Sequence, residues 1–66
     1  MIFEINDTVV LKVDIPEEGI KAGTVGVVIA VFTEPNEAYE VGFCDDEGGM
    51  LAQLALLPEQ LSKLVQ

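Results

Sequence analysis

Apolar residues alternate with polar or small residues in four stretches of this chain, and a period of two residues is typical of β-strands. The stretches cover residues 8–13, 24–33, 38–44 and 50–56. Turn-forming residues separate them at regular spacing, which favours an all-β arrangement over alternating strands and helices. Residues 57–61 predict a 3₁₀ turn and 62–65 a short fifth strand; a short helix over 58–64 is the alternative, because proline suits a helix start.

The alternation also predicts which side chains enter the core. Those expected to point inward are Val9, Leu11, Val13 and Ile15 around the first strand, and Tyr39, Val41 and Phe43 in the third. Those expected to point outward in the third strand are Glu40, Gly42 and Cys44. Phe3 and Ile5 read as an N-terminal anchor, and Ile20 as an apolar plug beneath the polar loop that follows the first strand.

The second strand differs from the others because it is apolar on both faces. A half-solvated antiparallel strand normally carries polar residues outside, so we expect either a bend at Gly26 or a covered outer face. The outer face is predicted to consist of Val28, Ala30 and Phe32. These three residues are the candidate apolar contact surface for a partner.

Four blocks of sequence carry a resemblance to a known family. They are Asp7-Thr8-Val9-Val10-Leu11, Gly23-Thr24-Val25-Gly26-Val27-Val28, Ala38-Tyr39-Glu40-Val41-Gly42-Phe43 and Leu57-Pro58-Glu59-Gln60-Leu61. In order and spacing they resemble a small bacterial family, DUF4926, a domain of unknown function. The resemblance implies one SH3-like small barrel over residues 1–66, with about five antiparallel strands and a 3₁₀ turn before the last one. It also implies an antitoxin or immunity role for some relatives.

The charge balance narrows the range of partners. Twelve Asp and Glu residues stand against three lysines and no arginine, which gives a formal net charge of -9. Such a chain repels phosphate backbones and anionic lipid surfaces, so we expect neither nucleic acid nor membrane as a partner. The second block is similar to KOW-type modules, yet it lacks their basic residues. A basic protein is the natural partner, steered by the acidic residues Glu17, Glu18, Asp45, Asp46 and Glu47.

Enzymatic chemistry finds little support in the residue types. The chain has no histidine, and Ser62 and Cys44 are the single serine and cysteine, so a hydrolytic triad is not available. We therefore predict that the chain is not an enzyme and has no catalytic residues, bound metal or cofactor. The acidic turn 45–47 leaves open a hard cation such as calcium, although the EF-hand spacing is missing.

The resulting functional hypothesis is a non-enzymatic protein-interaction module, with an antitoxin that blocks a basic nuclease-like toxin as its specific form. A ligand- or metal-responsive accessory domain of an enzyme complex is one alternative. A self-associating structural protein is another, because half of the residues are hydrophobic and small barrels have edge strands. We expect a cytoplasmic location, since no secretory signal is visible at Met1 and the cysteine is unpaired.

Overall fold

The computed structural model describes residues 2–45 and 47–64 of the chain. The strands are β1 (Thr8–Leu11), β2 (Val25–Phe32), β3 (Ala38–Cys44), β4 (Met50–Leu56) and β5 (Leu61–Lys63). The described residues also contain two single 3₁₀ turns, η1 (Pro16–Glu18) and η2 (Pro58–Gln60). The all-β prediction and the 3₁₀ turn before the last strand are confirmed, and the alternative helix over 58–64 is wrong.

All five strands belong to one antiparallel sheet in the order β4-β3-β2-β1-β5. This is the SH3-like arrangement, in which three consecutive strands form a meander and the last strand pairs with the first. Val9 pairs with Gly26 of β2 on one side and with Lys63 of β5 on the other. The strands β4 and β5 are therefore the two edges of the sheet in the described part of the chain.

One hydrophobic core lies on the inner face of the curved sheet. Its buried residues are Phe3, Val9, Leu11, Ile20, Val28, Tyr39, Val41, Phe43, Leu56 and Leu61. The predicted inward positions of the third strand, Tyr39, Val41 and Phe43, are all fully buried and thus confirmed. Ile20 is also buried and forms a β-bridge with Ile15 across the loop, as expected for a plug.

The first strand is shorter than its pattern predicts. The sheet pairing of β1 ends at Leu11, where the chain turns toward η2 and the amide of Lys12 donates to the carbonyl of Gln60 at 2.8 Å. Side-chain alternation lasts only while the strand stays in the sheet, so the predicted inward position of Val13 is wrong: 39% of it is exposed. In the N-terminal anchor, Phe3 is buried but Ile5 is 57% exposed.

The second strand contains a bulge that the pattern does not reveal. Its pairing with β3 shifts between Val28 and Ala30, which places the irregularity of the strand at Ile29; the bend at Gly26 is one of the two expected alternatives. Gly26 is buried opposite Phe43, and a side chain there would collide with β3.

The fifth strand covers 61–63 rather than 62–65, and residue 65 lies outside the described residues. Within residues 2–45 and 47–64, no helix has the length and apolar character that a membrane crossing needs.

Candidate functional site

An exposed apolar surface lies on part of the outer face of the sheet. We call it the outer patch, and it consists of Val25, Val27, Ile29, Met50 and Leu51, each between 38% and 59% exposed. Val25, Val27 and Ile29 project outward because Gly26 and Val28 between them face the core. Apolar surface gathered on one face of a small protein is more often a contact surface than scattered exposed side chains are.

Gly42 shapes the centre of this patch. It pairs with Val27 on β2 and with Gln53 on β4, so its missing side chain leaves the sheet backbone bare between the two strands. The side chains of Ile29 and Met50 lie over that gap: an ideal Cβ on Gly42 would stand 2.8 Å from Ile29 Cδ1 and 3.8 Å from Met50 Cε. The outer patch is therefore a continuous surface across β2, β3 and β4.

A shallow groove adjoins the patch at the end of the sheet where β2 begins and β3 ends. Its volume is about 560 Å³, and its lining includes the apolar side chains of Val25, Val27 and Leu51 together with Cys44 and Asp45. The Cys44 side chain is exposed, as the alternation of the third strand predicts. The groove is thus a mixed surface, in which apolar side chains border one carboxylate, Asp45.

The predicted contact residues Val28, Ala30 and Phe32 do not form this patch. Val28 is fully buried in the core, so its assignment to the outer face is wrong. The bulge at Ile29 changes the alternation, because two residues of β2 there oppose one residue of β3. Ala30 and Phe32 lie on the outer face as predicted, because Val31 between them packs against the core; Ala30 is half-buried and Phe32 is 43% exposed.

Sequence reasoning missed the outer patch, although two glycines carried a usable signal. A glycine inside a strand often marks a close approach of another group to the backbone. Gly26 opposite the inward Phe43 places Val25 and Val27 outside, and Gly42 opposite Val27 marks the gap that Ile29 and Met50 cover. The bulge itself leaves no comparable mark in the sequence.

The predicted steering residues border two separate grooves. Glu17 and Glu18 lie in η1 and line a groove of about 360 Å³ together with the C-terminal half of β4. Asp45 borders the groove beside the outer patch, and Glu47 is exposed in the same loop. Asp46 lies outside the described residues. The acidic residues therefore form two groups on the surface rather than one cluster.

Asp45 has a structural task in the turn between β3 and β4. Its Oδ1 accepts hydrogen bonds from the amides of Glu47 at 2.9 Å and Gly49 at 2.7 Å. Gly48 supplies the left-handed backbone, with φ of 84°, that the turn requires. Among the described residues, no group of three or more His, Cys, Asp or Glu side chains is placed to hold a metal ion.

Tyr39 is a core residue rather than an exposed peptide-binding aromatic. Its hydroxyl donates to the Glu37 carboxylate and accepts from the amides of Ile2 at 3.1 Å and Phe3 at 3.4 Å. Burial raises the pKa of this hydroxyl above its ordinary value of 10.0, and the hydrogen bond to Glu37 raises it further, while the two amide donors oppose the shift. A proline-peptide groove of the SH3 type would need this ring at the surface.

The fold and the patch define a small acidic barrel with one exposed apolar sheet face. The sequence model of a family described as "Domain of unknown function (DUF4926)" matches residues 5–63, so the chain belongs to that family. Comparisons with curated proteins and with solved structures gave no match.

Proposed function

We propose that this chain is a non-enzymatic protein-interaction module that binds a basic protein partner. The observation that carries the proposal is the outer patch, whose five side chains remain exposed on a chain of only 66 residues. An interface core is typically apolar and depleted of charge, with polar groups at its rim. The patch has that composition, since Asp45 borders it and none of its own residues is charged.

Charge supports a basic partner. The net charge of -9 is opposed by few internal contacts: in the described residues one ion pair is found, between Lys63 Nζ and Asp7 Oδ2 at 3.7 Å. The exposed carboxylates therefore remain available to attract an approaching cationic surface. Electrostatic attraction of this kind mainly raises the association rate and discriminates against acidic competitors.

The chemistry of the chain supports a role without catalysis. The sequence holds no histidine, and Ser62 and Cys44 are exposed on different strands. A more specific form of the proposal is an antitoxin or immunity protein that blocks a basic nuclease-like toxin, as the family resemblance implies. A cytoplasmic location accompanies it, because an exposed unpaired thiol persists best in a reducing compartment.

The test is affinity capture with matched variants. The immobilised wild-type chain is compared with Val27→Asp and Leu51→Asp in the patch, and with Thr33→Asp, an exposed position after β2, as the charge-matched control. We expect a basic protein to be retained by wild type and by Thr33→Asp but lost by both patch variants. Circular dichroism of each variant verifies the fold.

Two outcomes would overturn the proposal. One is retention of the same proteins by wild type and both patch variants, because the patch would then contribute nothing to binding. The other is a stable dimer in light scattering across a concentration series that Val27→Asp and Leu51→Asp each convert to a monomer. In that case the patch is occupied by a second copy, and the chain is a self-associating protein.

A further inference from the structure

The C-terminal half of the edge strand β4 lacks the features that normally protect an edge, because the bulge in its pairing with β3 lies at Leu51, in the N-terminal half. The whole strand runs over the seven residues Met50–Leu56, and it contains no charged residue, proline or glycine. It pairs with β3 on one side, and its other side has no partner strand in the described part of the chain. Natural edges are usually blunted by lysine, proline or short length, because unpaired amides and carbonyls attract another strand.

A groove lies along the C-terminal half of this edge. One wall is formed by Leu54, Ala55 and Leu56 of β4, and the groove has a volume of about 360 Å³. The opposite wall is the loop that holds η1, which contributes Asp14, Glu17 and Glu18. The half-buried Ile15 packs against the core and adds apolar surface to the lining of the groove.

The acidic wall has two carboxylates available for a ligand. Asp14 is already engaged, since its Oδ1 accepts the amide of Ala22 at 2.8 Å. Glu17 and Glu18 are exposed, and neither forms an ion pair within residues 2–45 and 47–64. An unpaired strand edge thus faces two solvated carboxylates across a groove.

We propose that this groove binds an extended basic segment of a protein partner, which adds to the sheet as a strand beside β4. The inference rests on the proposed function and adds a second, separate contact site to the outer patch. Main-chain hydrogen bonds to β4 would supply affinity, as in other cases of strand addition. Lysine or arginine on the outer side of the added strand would pair with Glu17 and Glu18.

A second copy of this chain is the weaker occupant. Its own β4 has no cation to offer Glu17 and Glu18, and each copy has a net charge of -9. Of the three lysines, Lys63 is already paired with Asp7. Charge therefore favours a basic segment from a different protein over self-pairing through β4.

The probe is a seven-residue peptide of alternating lysine and valine, matched in length to β4. It is titrated into the ¹⁵N-labelled chain and followed by amide chemical shifts. We expect saturable shifts in β4 and η1 and slower hydrogen exchange of β4 amides. The same peptide with every backbone nitrogen methylated should not bind, because it then has no amide to donate to the ladder on either edge.

Matched charge reversals separate the groove from general attraction. Glu17→Lys with Glu18→Lys should weaken peptide binding about tenfold or more. Glu34→Lys with Glu47→Lys changes the net charge equally at exposed positions that do not line the groove, and it should weaken binding much less. The patch variant Val27→Asp should leave peptide binding unchanged.

Three results would overturn the proposal that the groove binds a basic segment. They are absence of saturable binding, equal binding of the methylated peptide, and equal weakening by both pairs of charge reversals. Slower exchange in β4 that grows with protein concentration, without peptide, would assign the edge to self-pairing instead. If the peptide does not bind but the outer patch still captures a basic protein, only the proposal for the groove is wrong. If the peptide binds but no basic protein is captured through the outer patch, only the proposal for the patch is wrong.

Discussion

The ring of Phe3 meets the ring of Tyr39 edge to face, with centroids 5.1 Å apart and planes inclined at 79°. The same tyrosine accepts the amides of Ile2 and Phe3 through its hydroxyl. One side chain of β3 therefore fixes the segment before β1 by packing and by hydrogen bonds together. Edge-to-face pairs add to stability beyond the area that they bury.

Alkaline pH should destabilise this protein through Tyr39. Burial raises the pKa of the hydroxyl in the folded state, whereas the unfolded state titrates near the ordinary value of 10.0. Below that pH the hydroxyl is protonated in both the folded and the unfolded state, so the stability that Tyr39 contributes to the fold is fully present. Above it the unfolded state binds fewer protons than the folded state, so the free energy of unfolding falls as pH rises through the folded pKa.

The measurement is urea unfolding of wild type and Tyr39→Phe from about pH 8 to pH 11. At the lower end the variant should be less stable by about 1–2 kcal/mol, because the amides of Ile2 and Phe3 lose their acceptor. The difference should shrink toward the upper end. As Tyr39 is the single tyrosine, tyrosinate absorbance reports its titration directly. A gap that stays constant with pH would contradict the raised pKa.

Replacing Gly26 with alanine should be severely destabilising. An ideal Cβ there would lie 2.7 Å from Val41 Cγ1, 2.8 Å from Phe43 Cδ1 and 2.9 Å from the carbonyl oxygen of Gly42. The neighbours are buried side chains and backbone, so relief requires the two strands to separate. We expect a loss of about 1–3 kcal/mol, a large share of the roughly 3–5 kcal/mol that so small a core supplies.

Gly42→Ala is the matched control for Gly26→Ala. Its Cβ would also approach a neighbour at 2.8 Å, but that neighbour is Cδ1 of the exposed Ile29 side chain, which can rotate away. We expect a loss under about 1 kcal/mol. Urea midpoints of both variants test the comparison. Equal losses of stability would contradict it, because they would show that the distance from the new Cβ to its nearest neighbour sets the cost, whether or not that neighbour can move.

Asp45→Ala should loosen the turn between β3 and β4. The substitution removes the oxygen that accepts the amides of Glu47 and Gly49, and we expect a loss of about 1 kcal/mol. Asp45→Asn keeps an acceptor oxygen and should restore most of the stability. Thermal unfolding of wild type, Asp45→Ala and Asp45→Asn distinguishes a role in the turn from a role of charge. If the charge mattered, Asp45→Asn would lose as much stability as Asp45→Ala.

Glu47→Lys should slow the association of a basic partner. The side chain is exposed in the turn that also holds Asp45, which borders the groove beside the outer patch, so reversal should reduce attraction without removing an intramolecular contact. With the protein retained by affinity capture, we expect an association rate several-fold lower at low salt and a nearly unchanged dissociation rate. High salt should remove the difference; a slower rate that persists in high salt would speak against steering.

The fold was predictable because its main signals are local. The alternation in 38–44 correctly predicted that Tyr39, Val41 and Phe43 lie in the core. Leu57-Pro58 predicted η2. Both signals depend on only a few neighbouring residues. The acidic character and the positions of Glu17, Glu18, Asp45 and Glu47 in loops also followed from the sequence.

The faces of β2 were decided by tertiary structure. An apolar strand carries no alternation of its own, so its orientation depends on how Gly26 packs against β3 and on the bulge at Ile29. These contacts bury Val28 and expose Val25 and Val27. Within residues 2–45 and 47–64, the sheet order likewise leaves one side of β4 without a partner strand, and the η1 loop lines a groove together with β4. The sequence by itself determined the strands and the charge, whereas long-range pairing determined which surfaces remain for a partner.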